Sequence, residues 1–356
     1  VSLPQRVRSR PLPAVRIVDM REEYAAHGPD VVFSRPLVDA LDTRFTRREQ
    51  ALILLNRRGF ASAVFCRQCA RSLECPNCSV SLTFHRSADR ARCHYCGYSR
   101  GQPAACPECG GTFLEQIGFG TERVESEIRE RWPDARVARL DRDTTRRKGA
   151  AAKLLDRFGR GEVDVLVGTQ MVAKGHDFPR VTLVGVVSAD VGLGVADFRA
   201  AERTFQLLTQ VAGRAGRGEV PGEAVVQTLY PDHYSIRYAC NQAYEPFYDE
   251  EMRYRRAMRY PPDVSLVSAV VRGTSFRQTM QEATDLVTDL RRRPNRFRVL
   301  GPAAAPIGRL RGQYRVQLFL KGPHRREMRE ALLAALEGRA ELKRRVVIDV
   351  DPLAML

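Results

Sequence analysis

DVLVGTQMVAKGHDFPRVTLVGVVSAD, residues 164–190, carries two runs of aliphatic and β-branched residues, DVLVGT and VTLVGVVSAD, on either side of a polar loop. Neither run alternates apolar with polar positions, so each is predicted to be a strand buried on both faces, as in a parallel sheet covered by helices. The flanks fit that reading. TERVESEIRERW (121–132) places Val124, Ile128 and Trp132 at helical spacing, with Thr121 as the expected N-cap. ARVARLD (135–141) reads as a strand, AAAKLLDRFGRG (150–161) and RAAERTFQLLTQV (199–211) as helices, and GEAVVQTLY (222–230) as a further strand. This βαβ succession implies an α/β domain with function at the loops leaving the strand carboxyl ends. QALILLNRRGF (50–60) supplies another strand of the same body. The cysteine-rich stretch that follows it is therefore an insertion within the sheet domain.

The chain has 356 residues, too many for one ordinary core. It divides into residues 1–62 (an N-terminal segment and the start of the sheet domain), 63–113 (cysteine-rich), 114–240 (the rest of the sheet domain) and 241–356 (a C-terminal domain). With 44% hydrophobic and 28% charged residues it is globular, and it has no apolar run long enough to span a membrane. It opens VSLPQRVRSRPLP, without the apolar segment of a signal peptide and without an initiator Met, so a fragment is expected. The net charge is +16, and Lys occurs only at positions 148, 153, 174, 321 and 343. A GC-rich coding sequence accounts for Arg over Lys but not for the excess of cations over anions. Arg offers phosphate a planar bidentate fork, so the balance points to nucleic acid.

Eight of nine cysteines fall in four C-x-x-C pairs, CRQC (66–69), CPNC (75–78), CHYC (93–96) and CPEC (106–109). Each pair can aim two thiolates at one tetrahedral metal, and the absence of a secretory segment favours zinc over a disulfide framework. Only five residues separate the first two pairs, too few to turn one toward the other. A nested arrangement is predicted: Cys75, Cys78, Cys93 and Cys96 around one ion, Cys66, Cys69, Cys106 and Cys109 around a second. His85 and His94 are left outside the two filled coordination shells, and Cys240 is expected to be a small buried apolar residue. Such a module replaces a core the segment is too short to build, and it can also serve as a platform for DNA or a protein partner.

Beyond residue 240, EPFYDEEMRYRRAMRYPPD is predicted to be a helix stopped by Pro261 and Pro262, with YDEEMRYR a charged helix surface. VSLVSAVVRG, SFRQTMQEATDLVTDLRRR, FRVLGPAAAPIGRLRGQYRVQLFLKG, HRREMREALLAALEG and KRRVVIDVD then give βαββαβ, the order of a ferredoxin-like α+β sandwich. Arg309, Arg311, Arg315 and Lys321 fall on or beside its central hairpin with Tyr314 among them, a set suited to backbone contact and base stacking.

GTQMVAKGHDFPRVTLV (168–184) and ERTFQLLTQVAGRAGR (202–217) resemble motifs V and VI of superfamily 2 helicases. Together with VDMREE, LNRRGF, GFGTER, LDRDTT and the four nested cysteine pairs, they are similar to the PriA (primosomal protein N′) family of replication restart helicases over almost the entire chain. The resemblance implies a RecA-like helicase lobe 2 with an inserted two-zinc module and a C-terminal DNA-binding domain. In motif VI it implies Arg217 as an arginine finger on a γ-phosphate, with Arg214 and Gln210 at neighbouring nucleotide-sensing positions. Motif V comprises Gly168, Thr169, Gln170, Lys174, Gly175 and Asp177. There it implies nucleotide contact by Gly175 and Asp177, and DNA contact by Thr169, Gln170 and Lys174. Implied partners are branched or single-stranded DNA, primosome proteins, a replicative helicase loader and single-strand-binding protein, in the bacterial cytoplasm at the nucleoid and without a membrane.

A motor of this type also needs a first lobe carrying G-x-x-x-x-G-K-[ST] and an acidic Mg²⁺-holding motif. The chain contains no Gly-Lys dipeptide. ATP and Mg²⁺ are thus expected only in a form that carries that lobe, with no hydrolysis by this chain alone. The alternative is a platform of the same descent that binds DNA and recruits partners without ATPase activity.

Overall fold

The computed structural model describes residues 13–28, 30–55, 64–66, 69, 71–76, 81–85, 90–93, 96–101, 103–112, 114–116, 121–141, 144–145, 149–169, 178–193, 197–216, 220–294 and 296–355. The chain begins β1 (Ala14–Asp19), α1 (Met20–His27), α2 (Arg35–Thr46) and β2 (Gln50–Leu55). Five short strands follow in the cysteine-rich region: β3 (Val64–Cys66), β4 (Thr83–His85), β5 (Arg90–Arg92), β6 (Ser99–Gly101) and β7 (Leu114–Gln116). The α/β body resumes with α3 (Thr121–Arg131), β8 (Val137–Leu140), α4 (Ala150–Gly159), β9 (Val165–Gly168), β10 (Val181–Val187), α5 (Ala200–Ala212) and β11 (Glu223–Thr228). Six of these strands form one parallel sheet in the order β1-β11-β10-β2-β9-β8. Every residue of β2, β9 and β10 is buried, because helices cover both faces. Leu52, Leu54, Val184 and Val186 face one core with Phe205 and Leu208 of α5, whereas Ile53, Leu55, Leu183 and Val187 face the other with Leu37 and Leu41 of α2. Each such side chain contributes about 1.5–3 kcal/mol by leaving water.

Periodicity alone singles out only QALILL before residue 62; the structure adds β1, α1 and α2. Buried Gln227 of β11 fixes the entry to α2, its amide oxygen accepting from Ser34 N at 2.8 Å and its Nε2 donating to Val32 O at 2.9 Å. Thr121 is the first helical residue of α3 rather than a cap, and its hydroxyl donates to Asp141 Oδ2 at 2.7 Å, tying the start of α3 to the end of β8.

Two helices, α6 (Tyr234–Cys240) and α7 (Tyr244–Ala257), lead from the sheet domain to the C-terminal one and pack on α5, with Phe247 stacked on Phe205 at 4.0 Å. Half-buried Cys240 packs against this core, and burial pushes its thiol up to about 12. The stretch expected to be a charged surface holds buried charges instead. Glu251 and Arg255 are 4% and 7% exposed, and Arg255 Nε donates to Glu251 at 2.7 Å. Their i,i+4 spacing puts both on the one face of α7 that meets α5.

His233 caps α6, its Nδ1 accepting from Ser235 N at 3.2 Å, and burial pushes the ring down to about 4. An unfolded histidine takes its proton near 6.5, so between that value and about 4 the unfolded chain binds more protons and stability falls as pH falls. A loss of roughly 2 kcal/mol across that window is expected, allowing for the ring's partial contact with water. Urea unfolding near pH 7 and near pH 4.5 checks it: His233→Asn, a cap that does not titrate, should lose less than the wild type, and equal losses would refute the assignment.

The C-terminal domain comprises β12 (Ser265–Gly273), α8 (Phe276–Arg292), β13 (Arg298–Leu310), β14 (Gln313–Gly322), α9 (Arg325–Ala335), α10 (Ala340–Arg345) and β15 (Val346–Val350). Its antiparallel sheet runs β13-β14-β12-β15, the ferredoxin-like order. Strand alternation divides its two faces. Val267, Ala269, Val271, Val316, Leu318 and Leu320 meet α8 and α9, while Leu266, Leu300 and Phe319 share a core with Leu82, Ala91 and Cys93 of the cysteine-rich module and with Phe198 and Tyr260. Among the described residues no helix is long and apolar enough to cross a membrane.

Candidate functional site

The Sγ atoms of Cys66, Cys69, Cys106 and Cys109 lie within 4.8 Å of one another, with Cys66–Cys109 at 3.7 Å and Cys69–Cys106 at 3.6 Å. A second group holds Cys75, Cys93 and Cys96, with Cys75–Cys96 at 3.5 Å. Cys78, His94 and the His85 side chain lie outside the described residues. Four thiolates about 2.3 Å from one zinc ion stand about 3.8 Å apart, whereas a disulfide needs about 2.05 Å, so these clusters have the spacing of metal sites. The first and fourth pairs meet, and Cys75 of the second pair meets the third. The antiparallel pair β3–β7 brings the outer knuckles together and the sheet β4-β5-β6 the inner ones.

In CHYCG and CPECG the glycine after the second cysteine turns the knuckle. Gly97 (φ 80°) donates to Cys93 O at 3.0 Å and Gly110 (φ 73°) to Cys106 O at 2.9 Å, in a backbone conformation that side chains resist. Burial favours the neutral thiol at both Cys69 and Cys106. At Cys69 it prevails and the thiol rises to about 12; at Cys106 the N–H groups of Cys109 and Glu108 outweigh it and bring the thiol down to about 7. An all-sulfur tetrahedral donor set is the one zinc takes in structural sites.

The described polar residues of the two helicase-like motifs sit at opposite ends of the parallel sheet. Thr169 follows β9 at the carboxyl edge. Gln210 and Arg214 do not join it there, contrary to the expectation that function gathers at the strand carboxyl ends. A helix that follows a parallel strand runs back antiparallel to it, so the end of α5 returns to the strand amino ends, where Gly216 N donates to Val181 O, the first residue of β10, at 3.1 Å. Gln210 is exposed in the last turn of α5, and Arg214 lies half-buried just beyond it. Gly216 (φ 69°) crosses Gly222 so closely that a Cβ on either would collide with the other's backbone nitrogen. Gly216 and Gly222 thus let the backbone beyond α5 lie directly against the backbone entering β11. Gln170, Lys174, Gly175, Asp177 and Arg217 lie outside the described residues.

In the C-terminal domain, Arg311 (φ 49°) and Gly312 (φ 80°) form a two-residue turn between β13 and β14. The Arg309 guanidinium lies 5.1 Å from the centroid of Tyr314, and Phe276 meets that ring edge-on at 5.8 Å. Ile307, Leu310 and Phe276 are exposed around them, and Arg315 reaches Ile307 O at 3.4 Å. Lys321 stands apart from this group: its Nζ donates to Met258 O at 2.8 Å and sits 3.7 Å from the Tyr260 ring, a packing role that its position in the sequence did not reveal.

Three family descriptions match consecutive parts of the chain: the PriA DNA helicase Cys-rich region domain at residues 75–100, the helicase conserved C-terminal domain at 117–219 and the primosomal protein N C-terminal domain at 256–353. The replication restart protein PriA of Bacillus subtilis is 44% identical over 361 aligned residues, covering 100% of this chain and 45% of that protein. This chain belongs to the PriA family. The PriA proteins of Synechocystis (46% identical, 91% of this chain, 39% of that protein) and Chlamydia pneumoniae (38%, 95% and 46%) are similar to it as well. The chain thus spans less than half the length of these curated PriA relatives.

Within the PriA frame, one cluster has no counterpart among the motifs. Asp197, Arg199 and Arg203, at the start of α5, reach across to residues 352–355. The i,i+4 spacing of Arg199 and Arg203 was the available signal, and it reads as well as a solvated helix face.

Proposed function

We propose that this chain supplies the second RecA-like lobe, zinc module and C-terminal DNA-binding domain of a replication restart helicase. With a first lobe it would unwind branched DNA 3′→5′ using ATP and Mg²⁺, and promote primosome assembly. The observation that carries the reading is that Thr169 lies at the carboxyl edge of the sheet and Gln210 and Arg214 at its amino edge. The amino edge, with Gln210 and Arg214, faces a nucleotide held by the other lobe, which Arg217 contacts by family resemblance. Gly175 and Asp177 contact the nucleotide by family resemblance. The carboxyl edge, with Thr169, faces DNA, as does the zinc module inserted after β2, and Gln170 and Lys174 contact DNA by family resemblance. Phosphoryl transfer is catalysed by positioning and charge neutralisation, which is the part such arginines play. The chain alone is then a DNA-binding protein without ATP turnover, and robust fork-stimulated hydrolysis by it would contradict this.

The four-cysteine sets 66/69/106/109 and 75/78/93/96 hold the two zinc ions in this reading. Arg309, Arg311 and Arg315 contact phosphates while Tyr314 stacks on an unpaired base. Primosome proteins, a helicase loader and single-strand-binding protein are partners by family resemblance, in the bacterial cytoplasm at the nucleoid. Titrating the chain against fork and plain duplex at several salt concentrations tests the reading. Fork preference is expected, with Tyr314→Ala weakening single-strand binding by about 1–3 kcal/mol and Arg311→Ala lowering the salt slope by about one. Equal affinity for fork and duplex would remove the restart assignment.

A further inference from the structure

The helix α5 crosses the whole sheet, about 20 Å for 13 residues, from its carboxyl edge to the amino edge where Gln210 and Arg214 sit. Its far end is pinned by Gly216 to the first residue of β10. Its near end is held by another domain. Arg203 spreads its guanidinium between Asp197 Oδ2 (2.9 Å) and Leu353 O (2.6 Å). Arg199 donates from NH1 to Pro352 O at 2.8 Å and from its backbone N to Asp197 Oδ1 at 3.0 Å. Asp197, whose side chain is wholly buried, also accepts from Met355 N at 3.4 Å. Met355 is buried with Phe198, Tyr260 and Leu266. The segment they grip is itself fixed to β12, since Asp351 N donates to Leu266 O at 2.7 Å and its carboxylate accepts from Leu266 N at 3.0 Å.

We infer that Arg203, together with Arg199, is a positioning residue that latches the C-terminal sheet to α5, so that a displacement of the C-terminal domain reaches Gln210 and Arg214 at the other end. Arg is the residue this needs. One planar fork bonds a carboxylate and a carbonyl at once, and a lysine at 203 can keep the first bond but not both. A helix packed along its length moves as a rod, and because two ends of one rod are tied to two bodies, loosening one tie changes the load on the other. What the arginine end acts upon rests on the proposed function; the latch itself does not.

Amide hydrogen exchange on the chain, with no DNA or nucleotide present, tests the latch independently of that function. In Arg203→Lys, exchange at 208–216 is expected to quicken about fivefold along with 199–205, while α3 stays at its wild-type rate. Arg199→Ala/Arg203→Ala should give a larger change with the same pattern. A merely local role for Arg203 would free only 199–205. Quickening confined to that window, equal quickening in α3, or none anywhere would overturn the inference, and Arg203→Lys, which keeps the ion pair to Asp197, guards against a simple failure to fold.

Discussion

Stripping zinc from the chain with a chelator at neutral pH is expected to unfold the cysteine-rich module while the six-stranded sheet remains. The module's strands β3 to β7 are three residues each, and among its described residues the buried apolar side chains are few, including Leu73, Leu82 and Ala91. A segment so short cannot offset its chain entropy by burial, whereas zinc bound by four thiolates contributes about 10–16 kcal/mol per site in isolated finger peptides near pH 7. The loss should spread to one neighbour. Leu82, Ala91 and Cys93 cover Leu300 and Phe319, so the outer face of the C-terminal sheet would be bared and a hydrophobic dye should bind there. Two zinc ions per chain should be released, and Cys106→Ser alone should release one, because Cys106 belongs to only one cluster. Cys240→Ser should release none. Since the ligands must be thiolates, zinc should also leave progressively as the solution is acidified. Amide spectra of residues 64–116 that keep their dispersion after complete zinc removal would rule the account out.

The sequence was most legible where period and burial agree. The apolar runs at 165–168 and 181–187 read as strands covered on both faces, and VSLVSAVVRG read as a strand, although its two different neighbours were not legible. The meeting of the first and fourth cysteine pairs was legible too, because five residues between Cys69 and Cys75 are too few to turn the first pair toward the second. Other features depended on distant partners. Helix α2 was hidden because its apolar positions have meaning only once Gln227, 193 residues away, fixes Ser34. Lys321 looked like a phosphate ligand until Met258 and Tyr260 closed over it. The edge on which Gln210 and Arg214 lie follows from the direction of α5, a property of topology that no local pattern records. YDEEMRYR misled for a related reason: an i,i+4 pair of opposite charges marks a solvated helix face unless another helix covers it, and α5 does.

That covered pair carries the largest single-residue effect expected in the α/β body. Arg255 donates to Glu251 at 2.7 Å, to Glu202 of α5 at 2.6 Å and to Pro261 O at 3.1 Å, with its guanidinium 5.2 Å from the Phe198 ring. Glu251 accepts one further bond, from the Tyr234 hydroxyl at 2.6 Å. Burial, then the charge of Glu251, pushes the Tyr234 phenol well above its usual range, so it stays a donor at any physiological pH. Arg255→Ala would leave Glu251 buried with the phenol as its remaining bond and unfasten α7 from α5, a loss of about 3–5 kcal/mol. The charge rather than the packing is the reason, and a double substitution separates the two. Arg255→Met/Glu251→Gln removes both charges and keeps the volume, so it should recover most of what Arg255→Ala loses, because the Coulomb gain of a buried pair barely exceeds its desolvation cost. Urea unfolding of the single and double variants measures both quantities. Arg255→Ala within about 0.5 kcal/mol of wild type would place the pair among solvated surface charges after all.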